Sequence, residues 1–178
     1  QAVDLEKQAE IIKELKKIIK KNFLDYRMLS LSDLDVDILS MHEGSFGKGS
    51  LPWVCFGYFN FDTHQDVAAI IINKYSQSRK LIVLHGQEEA DVGNIFDKKR
   101  RSYSFRVFDD IYIGADYTLA MGSESSVLTL NDTISNESTK DFYYVYPLYD
   151  YITIIKWNSS KSILFLKNKT YRRVWISS

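Results

Sequence analysis

The chain has 178 residues, 45% apolar and 14% aromatic, a length and composition that can bury a sizeable core within one domain spanning 1–178. Lys plus Arg and Asp plus Glu number 23 each, so a formal charge of zero gives no bulk electrostatic reason to expect nucleic acid or an anionic membrane as partner. A mean hydropathy of −0.23, without any apolar run near the roughly 18 residues a span needs, excludes a transmembrane helix, and the lone Cys55 excludes an internal disulfide framework or a multi-cysteine zinc site.

The first predicted element is a helix over about 4–22. Leu5, Ala9, Ile12, Leu15, Ile19 and Phe23 recur every three or four residues, and Ile11 and Ile18 widen the stripe. Asp4 is placed to cap the start and Asn22 to stop the end, with Lys16, Lys17, Lys20 and Lys21 gathered where the helix dipole favours cations. That lysine cluster reads as a solvated face. Gly44, Gly47, Gly49 and Pro52 then mark 41–52 as a flexible loop.

From about 53 to 176 the texture is that of strands. Runs at 53–61, 67–75 and 80–85 come first, the last two joined by the turn Ser76-Gln77-Ser78-Arg79. The almost uniformly apolar Ala68-Ala69-Ile70-Ile71-Ile72 reads as a central strand covered on both faces. Further strands are expected at 103–107, 110–117, 126–130, 142–146, 151–157, 163–166 and 170–176, with Asn158-Ser159-Ser160-Lys161 and Lys167-Asn168-Lys169 as turns. Polar stretches at 86–99 and 131–140 read as surface loops, and the spans 86–101 and 122–140 are expected to supply contact surface. The fold class this describes is α+β, an N-terminal amphipathic helix packed on one largely antiparallel β-sheet of about seven to ten strands.

Between the first two strands lies Gly57-Tyr58-Phe59-Asn60-Phe61-Asp62-Thr63-His64-Gln65-Asp66-Val67-Ala68. It resembles the loop and strand of FG-GAP/VCBS-type repeats, written G-D-F-N-G-D-G-x-x-D-V-A. Gly57, Phe59, Asn60, Asp62, Asp66, Val67 and Ala68 match without a gap, while Tyr58, Phe61 and Thr63 depart. The resemblance implies that oxygens of Asn60, Asp62 and Asp66 converge on a hard cation such as calcium, although the motif's first acid and both inner glycines are replaced here. Read from the residues alone, Asn60 and Asp62 make Asx-type turns that aim the following strand, and no cofactor is required. The tail segments Ile154-Ile155-Lys156-Trp157-Asn158 and Tyr171-Arg172-Arg173-Val174-Trp175-Ile176-Ser177 are similar to the closing strands of small exported bacterial proteins that carry one such loop. The likeness implies a bacterial, exported, β-rich protein, and one loop does not make a propeller.

Catalytic signatures are thin. The histidines, His42, His64 and His85, form no HExxH pair. Cys55, His64 and Asp66 sit too close in sequence for the usual nucleophile–base–orienter set, which converges from separate elements, and Cys55 reads as a core thiol. Gly122-Ser123-Glu124-Ser125-Ser126 lacks the nucleophile-elbow spacing; Glu88-Glu89 with Asp91, and Lys98-Lys99-Arg100-Arg101, read as solvated loop charge. The 12 Tyr, 10 Phe and 3 Trp are rich in contact-making rings, Phe142 to Tyr151 above all. The expected function is therefore non-catalytic binding by an exported protein of the periplasm or cell envelope, its signal peptide removed. The expected partner is another protein, a secreted enzyme or toxin occluded by an inhibitor or immunity-type binder. A calcium- or carbohydrate-binding adhesion module and a hydrolase of unrecognised type are the alternatives.

Overall fold

Helix α1 (Leu5–Asn22) realises the N-terminal periodicity in the computed structural model, which describes residues 5–60, 62–88, 101–122, 127–130, 142–145 and 150–176. Ile11, Leu15 and Ile19 on its apolar stripe are all buried. The stop is local: Asn22 Nδ2 donates to the Ile18 carbonyl at 2.9 Å, a bond that competes with continued helix. The expected cap, Asp4, lies outside the described residues.

Strand β1 (Tyr26–Met28) follows, then a 3-10 turn (Leu31–Asp33) and helix α2 (Val36–Phe46). Here the flexible loop expected over 41–52 is corrected. Asp35 caps α2, its Oδ1 accepting the Asp37 N–H at 2.8 Å, and Ile38 and His42, one turn apart, are buried. Those gains outweigh the cost of Gly44 in the helix, about 1 kcal/mol. The helix ends at Gly47, whose φ of 97° suits a residue without Cβ.

The remaining described strands are β2 (Val54–Gly57), β3 (Asp66–Asn73), β4 (Arg79–Glu88), β5 (Arg101–Ile113), β6 (Tyr117–Gly122), β7 (Val127–Leu130), β8 (Phe142–Val145), β9 (Tyr151–Lys156), β10 (Ser160–Lys167) and β11 (Thr170–Ile176). They form two antiparallel sheets among the described residues rather than the single one expected. In the first, β3 pairs with β4 on one side and with both β1 and β2 on the other, and β5 follows β4; the second runs β6-β9-β10-β11-β7-β8. β3 is the central, doubly covered strand the sequence suggests, buried from Asp66 to Ile72. The strand expected at 103–107 runs on as far as Ile113, and the one expected at 110–117 is divided, its first residues ending β5 and Tyr117 opening β6 after a turn. A bulge lets β5 run on past the break, five of its steps from Phe108 to Ile113 spanning two of β4 from Leu81 to Arg79.

One apolar cluster holds residues of α1 (Ile11, Leu15, Ile19), of the first sheet (Ile70, Leu84) and of the second (Leu119, Ile152, Leu164). A corner joins the sheets, where the Leu119 N–H donates to the Pro52 carbonyl at 2.7 Å. Positive φ at Asn158 (57°) and Asn168 (51°) confirms turn chemistry in the last two hairpins, as asparagine tolerates the left-handed region.

Candidate functional site

The 57–66 loop folds back over the ends of β3 and β4 and is held by an inward-pointing carboxylate. Asp66, 0% exposed, opens β3; its Oδ2 accepts the Phe59 N–H at 2.8 Å and its Oδ1 the Gly86 N–H at 3.1 Å. His85, on β4, sets Nδ1 3.2 Å from Asp66 Oδ2. Its Nε2 lies 3.1 Å from the hydroxyl of Tyr171, on β11 of the other sheet. Asn60 Nδ2 also stands 3.2 Å from His85 Nδ1; facing an ionised carboxylate, which only accepts, Nδ1 carries the proton and leaves Nε2 to accept from the Tyr171 O–H. The result is a carboxylate–imidazole–phenol chain, wholly buried at Asp66 and half-buried at His85, that crosses from one sheet to the other.

Its electrostatics follow from burial. Desolvation pushes the Asp66 carboxyl up, and the hydrogen bond from His85 with the Phe59 and Gly86 N–H groups pulls it back. Burial raises the Tyr171 phenol, and the Asp66 charge adds to that rise, so the phenol remains a proton donor rather than a nucleophile. The Tyr171 ring stacks on His85 at 5.8 Å and meets Phe108 edge-on at 5.2 Å, while the Arg106 guanidinium lies over both the Phe108 and Tyr171 rings.

The rest of the loop is Asx-type geometry. Asn60 Oδ1 accepts the Asp62 N–H at 3.1 Å, Asp62 Oδ1 accepts the His64 N–H at 2.8 Å, and Asn60 Nδ2 donates to Asp62 Oδ2 at 2.9 Å. His64 Nδ1 stands 3.6 Å from Asp62 Oδ1. Farther along, the Tyr58 N–H donates to Asp150 Oδ2 at 2.9 Å, a second tie to the other half of the chain. Of the three candidate metal-binding residues, Asn60 and Asp62 therefore face one another and Asp66 faces the interior.

Placed against the sequence expectations, His64 and His85 come together with Asp62 and Asp66, while His42 is elsewhere. His42 sits in α2 against Phe46 at 4.7 Å and edge-on to Trp157 at 6.4 Å, and its buried Nδ1 has no hydrogen-bond partner among the described residues. Cys55 lies in β2 opposite Ala68, and burial raises its thiol far from the thiolate a nucleophile needs. The acids at 88–91 and the basic run at 98–101 fall outside the residues whose side chains are described, as do the Gly122–Ser126 serines apart from Gly122 itself.

No family model, curated protein or solved structure matches the chain. Among the described residues no group of three or more His, Cys, Asp or Glu side chains is arranged to hold a metal ion, and no helix is long and apolar enough to cross a membrane. The participation of Tyr171 escaped the sequence reading, because it enters from 86 residues beyond His85. His85 carried a signal: the β3–β4 register pairs Val67 with Leu84, and one further step sets Asp66 opposite His85.

Proposed function

We propose that this chain is a non-catalytic, exported bacterial binding protein of the inhibitor or immunity type, which occludes a secreted enzyme or toxin in the periplasm or at the cell envelope. The observation that supports this reading is the internal commitment of its most reactive-looking cluster. Asp66 is wholly buried, each of its oxygens accepts a backbone N–H, and the Tyr171 phenol is held protonated against His85. Such a cluster shapes a loop and offers a substrate little. The reading takes α1 as the cover of the first sheet, which the burial of Ile11, Leu15 and Ile19 supports.

Recognition is then left to the surface, where Tyr112 is 76% exposed and Val36 79%. Exposed rings of this kind are rigid, amphipathic contact residues. The loops expected to contribute, 86–101 and 122–140, lie for the most part outside the described residues. The test is affinity capture from the secreted and periplasmic proteins of the source organism, followed by titration of whatever is captured. One stoichiometric protein whose activity falls to zero at one equivalent is the expected result. Capture of no stoichiometric partner ends the proposal.

A hydrolase remains the second reading because His64 and His85 stand beside Asp62 and Asp66. On that reading His64→Ala, a change on a half-buried loop, abolishes turnover of some ester, amide or glycoside substrate while the fold persists. A panel of such substrates left intact by the purified chain removes it.

A further inference from the structure

The turn that ends α1 and the turn that joins β3 to β4 lie side by side. The Lys74 N–H donates to the Asp25 carbonyl at 2.7 Å, and Lys74 Nζ donates to the Leu24 carbonyl at 2.6 Å. This clamp presents Leu24 and Tyr75 together at one corner of the protein, 74% and 80% exposed. Beside them, between the end of α1 and β1, opens a groove of about 730 Å³ lined by Lys16, Lys20, Arg27 and Lys74 and by no carboxylate.

The charges there are not all spent. Arg27 is held by both oxygens of Asp33, and Lys17, next along the helix, by Glu14. Lys16 and Lys20, one turn apart and exposed, have no ion-pair partner among the described residues. Asp25 is the one acid of the turn itself. A formal charge of zero over the whole chain conceals this local excess of cations.

We propose that this corner docks on a bilayer surface bearing anionic phospholipid headgroups, with Leu24 and Tyr75 entering the headgroup layer and the groove lysines meeting the phosphates. The charge selects an acidic occupant. The two exposed apolar tips among the lysines select a membrane over a soluble anion, since a free phosphate or nucleic-acid backbone gives a leucine nothing to bury against. Tyrosine favours the membrane interface, and each lysine near an anionic surface is worth on the order of fivefold in binding. The inference stands apart from the identity of any protein partner.

The experiment is co-sedimentation of the whole chain with vesicles of phosphatidylcholine, with and without phosphatidylglycerol. Binding is expected only with phosphatidylglycerol and is expected to weaken as salt is raised. Lys16→Glu with Lys20→Glu should lower it by roughly tenfold or more. Leu24→Ser with Tyr75→Ser should weaken it while the thermal midpoint stays put, as both side chains are exposed. Binding to neither vesicle, equal binding to both, or full binding by the charge-reversed variant overturns the proposal. So does displacement by soluble polyglutamate combined with undiminished binding by the Leu24/Tyr75 variant, which would make the corner a site for acidic proteins.

Discussion

The Tyr171 hydroxyl donates to His85 Nε2 at 3.1 Å, joining the last strand of one sheet to the second-longest strand of the other. The Asp66 carboxylate sets the His85 tautomer, and the Tyr171 bond holds the imidazole in that orientation. Tyr171→Phe keeps the ring stacked on His85 and removes only the donor. A loss of about 1–2 kcal/mol is expected in denaturant unfolding, with the fold retained.

Asp66 should be far less forgiving. Asp66→Ala strands the Phe59 and Gly86 N–H groups and His85 Nδ1 in a buried setting, at an expected cost of about 3–5 kcal/mol. Asp66→Asn keeps the shape but turns an amide N–H₂ towards at least one of those donors, so it should recover little. Thermal melts of the three forms rank them, and an Asn variant as stable as the parent would refute the hydrogen-bond assignment.

Gly86 couples packing to the same cluster. A Cβ there would come within 2.9 Å of the Gln65 carbonyl oxygen and 3.3 Å of His64 Cβ, and backbone cannot give way cheaply. Gly86→Ala should cost about 1–3 kcal/mol and loosen the loop by moving the N–H that binds Asp66. Hydrogen exchange at residues of the 57–66 loop should quicken in that variant before it does in β9 or β10.

His42 predicts a pH response. Burial lowers its pKa below the ordinary 6.5, so the unfolded chain takes up the proton first as the pH falls. Stability from this group is full above 6.5 and drains away as the pH drops from there towards the folded value. Asp66 has the opposite sign: its raised pKa gives a contribution that is full below 3.8 and lost as the pH rises through the folded value. Asp33, held well below the usual carboxylate range by Arg27, loses its contribution only in strong acid. Comparing His42→Leu with the parent isolates the first effect, and the variant's stability should fall less between neutral and mildly acidic pH.

Calcium provides a direct check on the loop. The Asp66 and Asp62 oxygens already accept hydrogen bonds from Phe59, Gly86, His64 and Asn60. The melting temperature should be the same in excess calcium and in chelator. A rise of several degrees with calcium would mean that the loop opens to a cation at the expense of those bonds.

What the sequence revealed and withheld follows from the range of the interactions. α1, β3 and the closing hairpins are written in local periodicity and turn residues, and Thr170–Ile176 emerges with its predicted bounds. α2 was hidden by glycines that usually mark loops, its true signals being the Asp35 cap and the Ile38/His42 spacing. The polar cluster was half legible. Asn60 and Asp62 announce their turns locally, whereas the chain from Asp66 through His85 ends on Tyr171, and no local pattern carries a contact over that separation. The division into two sheets was equally invisible, since strand patterns state which face is apolar and leave open which strand each edge will meet.

That separation bears on how the chain reaches its native state. Strand β11 carries Tyr171, 86 residues beyond His85, and only with it in place does His85 acquire the phenol that completes the chain from Asp66. Without the C-terminal hairpin, the imidazole partner of Asp66 lacks its outer anchor. A contact of such wide sequence separation costs loop-closure entropy before it returns anything, so the docking of this hairpin is expected to slow folding of the whole.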